Sequence, residues 1–180
     1  MSCIREHVTD RVGLCVISDR HAGISRAMTD LRWSPPNAYH RFCIRHLKSN
    51  VQTRYKDSQL KFLVGVTAYV REQRPFSAGF DQIGEKNREC CEFLQEIGLE
   101  KWSLHHDGGL RYGCITTNMS ECFNGVMKGT RSLPVSGIVQ ATFARLNSYF
   151  VTRRGRAIKR IQDGLTLSQQ IDQKLKTLRR

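Results

Sequence analysis

Long hydrophobic runs are absent from this chain of 180 residues. No stretch approaches the roughly 18 apolar residues that a membrane-spanning helix needs. The first seven residues, Met-Ser-Cys-Ile-Arg-Glu-His, contain no apolar segment of the kind found in secretory leaders. The sequence therefore predicts a protein with no membrane partner.

A disulfide framework is also absent. The chain has seven cysteines, an odd number, at positions 3, 15, 43, 90, 91, 114 and 122. Two of them are adjacent, and Cys15 falls within an apolar run, so regular pairing is not expected. This pattern predicts an intracellular, reducing compartment.

Acidic residues are scarce relative to basic ones. Lys and Arg number 29 against 16 acids, which gives a net charge of +13. Residues 32–56 contain no acid, and residues 151–180 contain nine basic residues and two acids. Such an excess favours a polyanionic partner such as nucleic acid. The alternative is a solvated basic surface with no such partner.

The most informative apolar run is Leu14-Cys15-Val16-Ile17, followed at once by Ser18-Asp19. Four apolar residues in a row predict a short buried strand, and apolar spacing then predicts a helix over 22–32. Asp19 is therefore placed at the carboxyl end of a strand, where open α/β sheets form ligand crevices. The alternative is that Ser18 or Asp19 simply caps the helix.

The spacing of apolar residues and the positions of proline and turn residues predict the other helices and strands. A second, parallel strand is predicted over 38–43, and helices are predicted over 44–55, 58–73, about 80–97 and 118–128. Pro75 is expected to separate the helix over 58–73 from the helix over about 80–97. A helix over 135–152 is expected to bury its apolar side, and residues 105–109 are expected to form a flexible turn. Trp102 is either a core residue or a platform for a nucleobase.

Glu121 lies on the predicted helix that begins near Asn118. Asn124 and Lys128 follow Glu121 on the same helical face, which aligns an acid, an amide and a cation. The alternative is a capping box between Asn118 and Glu121.

His40, Cys43 and His46 are spaced three residues apart and are all metal-ligand types. A zinc site needs four ligands, and the chain offers no convincing second pair. A role other than zinc binding is therefore favoured for Cys43 and His46.

Several motifs in order resemble the plant Mutator-like (MuDR/MULE) transposase domain over residues 12–156. They are Ile17-Ser18-Asp19-Arg20-His21-x-Gly23-Ile24, Tyr39-His40-Arg41-Phe42-Cys43-x-x-His46-Leu47-x-x-Asn50, Lys101-Trp102, Arg111-Tyr112-Gly113, Thr116-Thr117-Asn118-Met119-Ser120-Glu121-x-x-Asn124 and Arg131-x-Leu133-Pro134. Each motif is weak alone, and their common order makes the combination specific.

The resemblance implies an α/β fold with a truncated RNase H-like core of about two parallel strands, a large helical insertion and mostly helical content. It divides the chain into a partial core (1–57), a helical insertion (58–105), C-terminal core helices (106–152) and a basic helical tail (153–180). Asp19 and Glu121 would be the second and third catalytic acids and would hold Mg²⁺ or Mn²⁺ for phosphodiester cleavage. Cys43 and His46 would belong to the neighbourhood of the active site.

The resemblance and the charge together predict DNA as the partner and the nucleus as the location. The residues expected to contact DNA are Arg20, Arg41, Arg45, Lys48, Trp102, Lys128, Arg131, Arg153, Arg154 and Arg156. A two-stranded sheet would also leave an apolar edge open, which predicts self-association through that edge.

The first acid of the family has no counterpart here. The acids that precede Asp19, Glu6 and Asp10, do not end an apolar strand. The sequence therefore predicts part of a transposase catalytic domain with an incomplete acidic site. The alternative is a transposase-derived DNA-binding or regulatory protein without enzymatic activity.

Overall fold

In the computed structural model of this chain, the described residues run from 2 to 178, so Arg179 and Arg180 of the predicted tail lie outside them. Two compact units are divided between Glu121 and Cys122. The chain is mostly helical and contains a small parallel sheet of two strands in the first unit. The prediction of a mostly helical α/β chain with two parallel strands is confirmed.

The sheet is formed by β1 (Leu14–Ser18) and β2 (Ala38–Phe42). The strands are parallel and in register over their whole length. Helix α2 (Ala22–Ala27) lies between them in sequence, as a parallel pair needs a crossover connection. Because the two strands end together, Asp19 and Cys43 follow them at the same edge of the sheet.

A short helix, α1 (Ser2–His7), precedes the sheet. Within the described part of the chain, each strand pairs only with the other. Each therefore has one edge without a strand partner, and self-association through such an edge stays a prediction.

Five complete helices follow the sheet within the described part of the first unit. They are α3 (Ile44–Tyr55), α4 (Ser58–Tyr69), α5 (Gln73–Lys86), α6 (Arg88–Ile97) and α7 (Leu99–Trp102). Helices α3 to α6 pack in sequence, each on the next. Their apolar faces form one core, which includes Leu47, Val51, Leu60, Val64, Phe76, Ile83, Leu94 and Trp102.

Several of the predicted helix boundaries were wrong. The helix predicted over 22–32 ends at Ala27, and the helix predicted over 58–73 ends at Tyr69. The segment predicted as one helix over about 80–97 is divided at Asn87, which ends α5 in an extended conformation and caps α6 by accepting the N–H of Cys90. Pro75 does not break a helix, because it lies in the first turn of α5, where its missing N–H would have no helical partner.

The second unit contains the end of α8 (Asn118–Val126), a short 3-10 turn (Lys128–Thr130), α9 (Val135–Gln162) and α10 (Gln169–Leu178). Helix α9 continues past the end predicted at residue 152 and therefore crosses the predicted boundary of the basic tail. None of the described helices combines the length and apolar character needed to span a bilayer.

The prediction that the helix over 135–152 buries its apolar side was wrong. No residue of α9 is buried. Of the residues expected inside, Val139 is 62% exposed, Phe143 69% and Phe150 71%. The other residues expected there, Ile138, Thr142, Leu146 and Tyr149, are also at least partly exposed. The amphipathic pattern identifies an apolar face, but it does not determine whether another element covers that face.

Candidate functional site

Asp19 follows β1 directly, and its side chain is exposed. Its Oδ1 accepts the backbone N–H of His21 at 3.1 Å. The cap of α2 is His21 itself, whose Nδ1 accepts the N–H of Gly23 at 3.1 Å. The alternative that Ser18 or Asp19 caps this helix was therefore wrong.

Arg20 has a backbone φ of 73°, in the left-handed region that residues other than glycine rarely adopt. Its guanidinium lies 5.6 Å from the ring centroid of Phe42 and 5.2 Å from that of Phe93. Burial lowers the pKa of this guanidinium. Strained backbone of this kind concentrates at functional sites, and here it sets the direction of the chain directly after Asp19.

Glu121 lies in the first turn of α8, and both of its carboxylate oxygens accept hydrogen bonds. Thr117 Oγ1 donates to Oε1 at 2.9 Å, and Arg45 Nη1 donates to Oε2 at 2.8 Å. Arg45 Nη1 also donates to Asn118 Oδ1 at 2.7 Å. His46 Nε2 lies 3.9 Å from Oε1. Glu121 therefore connects the start of α8 to the first turn of α3.

Cys43 joins this cluster to the end of β1. Its backbone N–H donates to the carbonyl of Ser18 at 2.7 Å. Its Sγ accepts the backbone N–H of Thr117 at 3.2 Å and lies 3.3 Å from Thr117 Oγ1. Contacts therefore run from Ser18 to Cys43, from Cys43 to Thr117 and from Thr117 to Glu121. Through them, the end of β1, which precedes Asp19, and the start of α8, which carries Glu121, both contact Cys43.

Burial raises the pKa of the Cys43 thiol, but hydrogen bonds from Thr117, with contributions from His46, outweigh this and lower the pKa from 9.0 to about 7. The hydroxyl of Thr117 has one proton and two acceptors, the Cys43 sulfur and the Glu121 carboxylate. The ionisation of Cys43 is therefore coupled to the hydrogen bond that holds Glu121.

Replacing Thr117 with valine removes this hydroxyl, and we expect the pKa of Cys43 to rise from about 7 toward 9.0. A thiol whose pKa is lowered by folding stabilises the fold above pH 9.0, and this contribution is lost as the pH falls through about 7. The free energy of unfolding should therefore increase as the pH is raised from about 7 to 9.0. The increase should be smaller in Thr117→Val. Urea unfolding at both ends of the range measures the difference.

The matched control is Thr53→Val, which removes a hydroxyl that donates to the carbonyl of Ser49 within α3. We expect it to keep the pH dependence of the unmodified chain. An identical pH dependence in Thr117→Val and the unmodified chain would contradict the coupling.

The resemblance implies a pair of divalent cations at this edge of the sheet, and the residues present do not fit such a pair. Mg²⁺ prefers six oxygen ligands, largely carboxylates and water. Within the described ranges, no group of three or more His, Cys, Asp or Glu side chains is arranged to hold a metal ion. Glu121 is engaged by Arg45 and Thr117.

The spaced set His40, Cys43 and His46 does not form such a group either. His40 Nε2 is hydrogen-bonded to Ser18 Oγ at 2.8 Å, while Cys43 contacts Thr117. His40 therefore contacts the end of β1, whereas Cys43 and His46 contact Thr117 and Glu121 at the start of α8.

Two of the residues expected to contact DNA are buried. Trp102 is 0% exposed, and its Nε1 donates to the carbonyl of Leu94 at 3.1 Å. Arg41 is 7% exposed, and its Nε donates to Asp107 Oδ1 at 2.9 Å. Both assignments were wrong in this fold, because a buried indole cannot stack on a base and a buried guanidinium cannot reach a phosphate.

The other residues expected to contact DNA are at least partly exposed. In the first unit, Arg45 is exposed beside Glu121, and Arg20 and Lys48 are half-buried. In the second unit the side chains concerned are all exposed, namely Lys128, Arg131, Arg153, Arg154 and Arg156. DNA contact by these residues stays a prediction.

Sequence reasoning missed two features of this region. The role of Thr117 was not foreseen, because its position between Cys43 and Glu121 depends on residues 74 apart in sequence. Asp107 was assigned to a flexible turn, but it is 2% exposed and accepts the backbone N–H of Arg111 at 2.8 Å. Its spacing of four residues from Arg111 is the one local signal for this pair.

Comparison of the chain with protein-family models, with curated proteins and with solved structures gives no match.

Proposed function

We propose that this chain is part of a Mutator-like transposase catalytic domain with an RNase H-like core, that it acts in the nucleus and that it binds DNA. Asp19 and Glu121 are its acidic site residues. The observation that supports the proposal is the connected arrangement Ser18–Cys43–Thr117–Glu121, which unites motifs far apart in sequence at the edge where β1 and β2 end. Ligand crevices in α/β sheets form at that edge.

In this proposal, DNA is held by charge rather than by base contacts. Helix α9 contains six basic residues and no acid over its whole length, namely Arg145, Arg153, Arg154, Arg156, Lys159 and Arg160. Cations on an exposed helix attract the phosphate backbone and displace its counterions. We therefore expect binding to be strong at low salt and to weaken steeply as salt increases.

A salt titration of DNA binding tests this proposal. The variant Arg153→Gln/Arg154→Gln/Arg156→Gln should reduce the slope of log K against log[KCl] by about 2.7, if each residue contacts one phosphate. It should also weaken binding about tenfold or more. Fluorescence anisotropy of a labelled duplex gives both quantities.

The matched control, Lys61→Gln/Arg74→Gln/Arg88→Gln, removes the same charge from α4, α5 and α6. We expect it to change the slope by less than half as much. Equal losses in both variants would mean that net charge alone matters, and an absence of salt-dependent binding in the unmodified chain would contradict the proposal.

This proposal assigns two carboxylates to the site, Asp19 and Glu121, and no group of three or more ligand side chains forms among the described residues, so we expect no metal-dependent cleavage by this chain. Incubation of supercoiled plasmid with Mg²⁺ or Mn²⁺ should nick the DNA no faster than the variant Asp19→Ala/Glu121→Ala does. Both proteins should bind DNA equally. Nicking by the unmodified chain that disappears in this variant would show a complete catalytic site and contradict the expectation.

The second candidate function is a transposase-derived DNA-binding or regulatory protein without enzymatic activity. The observation that favours it is the ion pair between Arg45 and Glu121, which occupies the carboxylate with a cationic side chain. If binding survives in Asp19→Ala/Glu121→Ala and no nicking is seen, this candidate accounts for the chain as it stands.

A further inference from the structure

A continuous apolar stripe runs along the first half of α9. Its members recur at intervals of three or four residues, and each of them is between 41% and 79% exposed. They are Val135, Val139, Phe143, Leu146 and Phe150. Coiled-coil helices bury apolar residues of this spacing against another helix, and an exposed apolar patch of this kind marks an interaction surface. We call this set of residues the α9 stripe.

The side chains that border the α9 stripe carry no charge. In coiled coils, the positions on either side of the apolar seam usually carry charges that select the partner. In α9 these positions hold Gln140, Thr142, Asn147 and Tyr149. Arg145 is the one charged residue over 135–150, and its Nη1 donates to the carbonyl of Val126 in the same unit at 2.7 Å. Residues 135–150 therefore offer an apolar seam between neutral borders.

The uncharged borders favour a second copy of this chain over a charged partner. Helices that bind anionic membranes or acidic grooves carry Lys and Arg beside their apolar face. In α9 the cations Arg153 and Arg154 instead follow the stripe at its C-terminal end. A second copy presents the same neutral borders, so pairing the two stripes buries apolar side chains without bringing like charges together.

The basic residues of α9 determine the direction of such a pair. Residues 153–160 contain five cations, and α9 contains no acid that could neutralise them. In a parallel pair the two basic segments would lie side by side and repel each other. In an antiparallel pair they lie at opposite ends. Full overlap of the two stripes in this direction places Phe143 opposite Leu146 of the second copy, and Val139 opposite Phe150 of the second copy.

We propose that α9 pairs with α9 of a second copy of this chain and forms an antiparallel helical dimer through the α9 stripe. The stripe is about 24 Å long at 1.5 Å per residue. A contact of this length lies at the small end of protein interfaces, where association is weak. We therefore expect a dimer with a dissociation constant in the micromolar range.

The dimer itself does not depend on DNA, but its consequence for DNA rests on the proposed function. In the antiparallel pair, the centres of the two basic segments, residues 153–160 of each copy, lie about 36 Å apart along the helix axis. One turn of duplex DNA has a length of about 34–36 Å. The dimer therefore presents its two basic segments to phosphates one turn apart on the same side of a duplex.

Sedimentation equilibrium of the full chain over a wide range of concentration tests for the dimer. We expect a monomer–dimer equilibrium that persists or strengthens as KCl is raised, because the seam is uncharged and salt screens the repulsion between two cationic copies. DNA binding should respond to salt in the opposite direction. A chain that stays monomeric at every concentration overturns the proposal, whether its stripe is covered by the same chain or binds vesicles that contain phosphatidylserine.

A matched pair of variants locates the contact. Phe143→Gln removes a ring that is 69% exposed on α9, and Phe62→Gln removes a ring that is 66% exposed on α4. Phe143→Gln should weaken the dimer about tenfold or more, because each dimer loses two central rings. Phe62→Gln should leave the dissociation constant unchanged. A dimer that persists unchanged in Phe143→Gln, or that weakens equally in both variants, overturns the assignment to the α9 stripe.

The direction of the pair is tested with Val139→Glu and Phe150→Lys. Each single substitution buries an unpaired charge against an apolar side chain of the second copy, so each should weaken the dimer about tenfold or more. In the double variant, an antiparallel pair brings each new carboxylate opposite a new ammonium group, and dimerisation should be partly restored. A parallel pair would oppose like charges instead. A double variant that dimerises no better than either single variant overturns the antiparallel arrangement.

DNA binding by the same variants separates this proposal from the proposed function. Arg153→Gln/Arg154→Gln/Arg156→Gln should weaken duplex binding and keep the dimer. Phe143→Gln should weaken binding to a duplex of two turns more than Phe62→Gln does. Equal duplex binding by these two variants overturns the role of the dimer in DNA binding and leaves the proposed function standing. A dimer that binds no DNA supports the pairing of α9 and contradicts the proposed function.

Discussion

Replacing Asp107 with asparagine should lower the free energy of unfolding by about 3–5 kcal/mol, because it leaves two buried cations without their counter-charge. Asp107 Oδ1 lies 2.9 Å from Arg41 Nε and 3.0 Å from Arg111 Nε. The side chains are 2% exposed for Asp107, 9% for Arg41 and 0% for Arg111. Urea unfolding followed by circular dichroism measures the loss.

The control for Asp107→Asn is Glu89→Gln, which breaks the ion pair between Arg54 and Glu89. Both of these side chains are at least half exposed, so we expect a loss below about 1 kcal/mol. A loss for Asp107→Asn as small as that for Glu89→Gln would show that water compensates the two guanidinium groups. The buried ion cluster would then contribute little to stability.

This cluster explains why the role predicted for Arg41 was wrong. The basic segment 32–56 contains no acid, and Arg41 was predicted with Arg45 and Lys48 to contact DNA. The acid that pairs with Arg41 lies 66 residues away, in a segment whose glycines and polar residues predicted a flexible turn. Local composition identifies a charge excess, but only the tertiary fold decides which charges are neutralised inside.

Features fixed by short-range rules were predictable from the sequence. The apolar run before Asp19 forms β1, and the parallel partner follows at Ala38–Phe42. Gly98 follows the predicted end of the helix at residue 97; it has a φ of 91° and is the C-cap of α6. These outcomes depend on a few neighbouring residues, which is why periodicity and cap chemistry suffice to predict them.

Features that depend on distant contacts were not predictable. The contacts of Glu121 with Arg45 and Thr117 could not be read from the spacing in the motif Thr117-Asn118-x-x-Glu121. Exposure of α9 likewise depends on which elements surround it, and its sequence is compatible with a buried face. The sequence therefore located the acids Asp19 and Glu121 on their elements, but not the thiol and hydroxyl that connect those elements.

Replacing Trp102 with alanine should lower the free energy of unfolding by about 3–5 kcal/mol, the usual cost of removing a large buried aromatic side chain. Trp102 is 0% exposed, and its ring centroid lies 6.0 Å from that of Phe76 and 6.2 Å from that of Phe80. The substitution also leaves the carbonyl of Leu94 without the indole donor. Thermal and urea unfolding measure the change.

The matched control for Trp102→Ala is Phe62→Ala, which removes an aromatic ring that is 66% exposed on α4. We expect its effect on stability to stay within about 0.5 kcal/mol. A second comparison distinguishes the core role of Trp102 from a role in DNA binding. Trp102→Phe keeps most of the apolar volume, so at a temperature where the variant is folded it should bind DNA as tightly as the unmodified chain.

Loss of DNA affinity in a folded Trp102→Phe variant would contradict the burial of this indole and restore it as a nucleobase platform. The expected result, in which stability falls and affinity does not, would show that Trp102 acts in the core alone. The two tryptophans would then differ in one physical respect. The N–H of Trp102 is satisfied inside the fold, whereas that of Trp33 has no partner among the described residues.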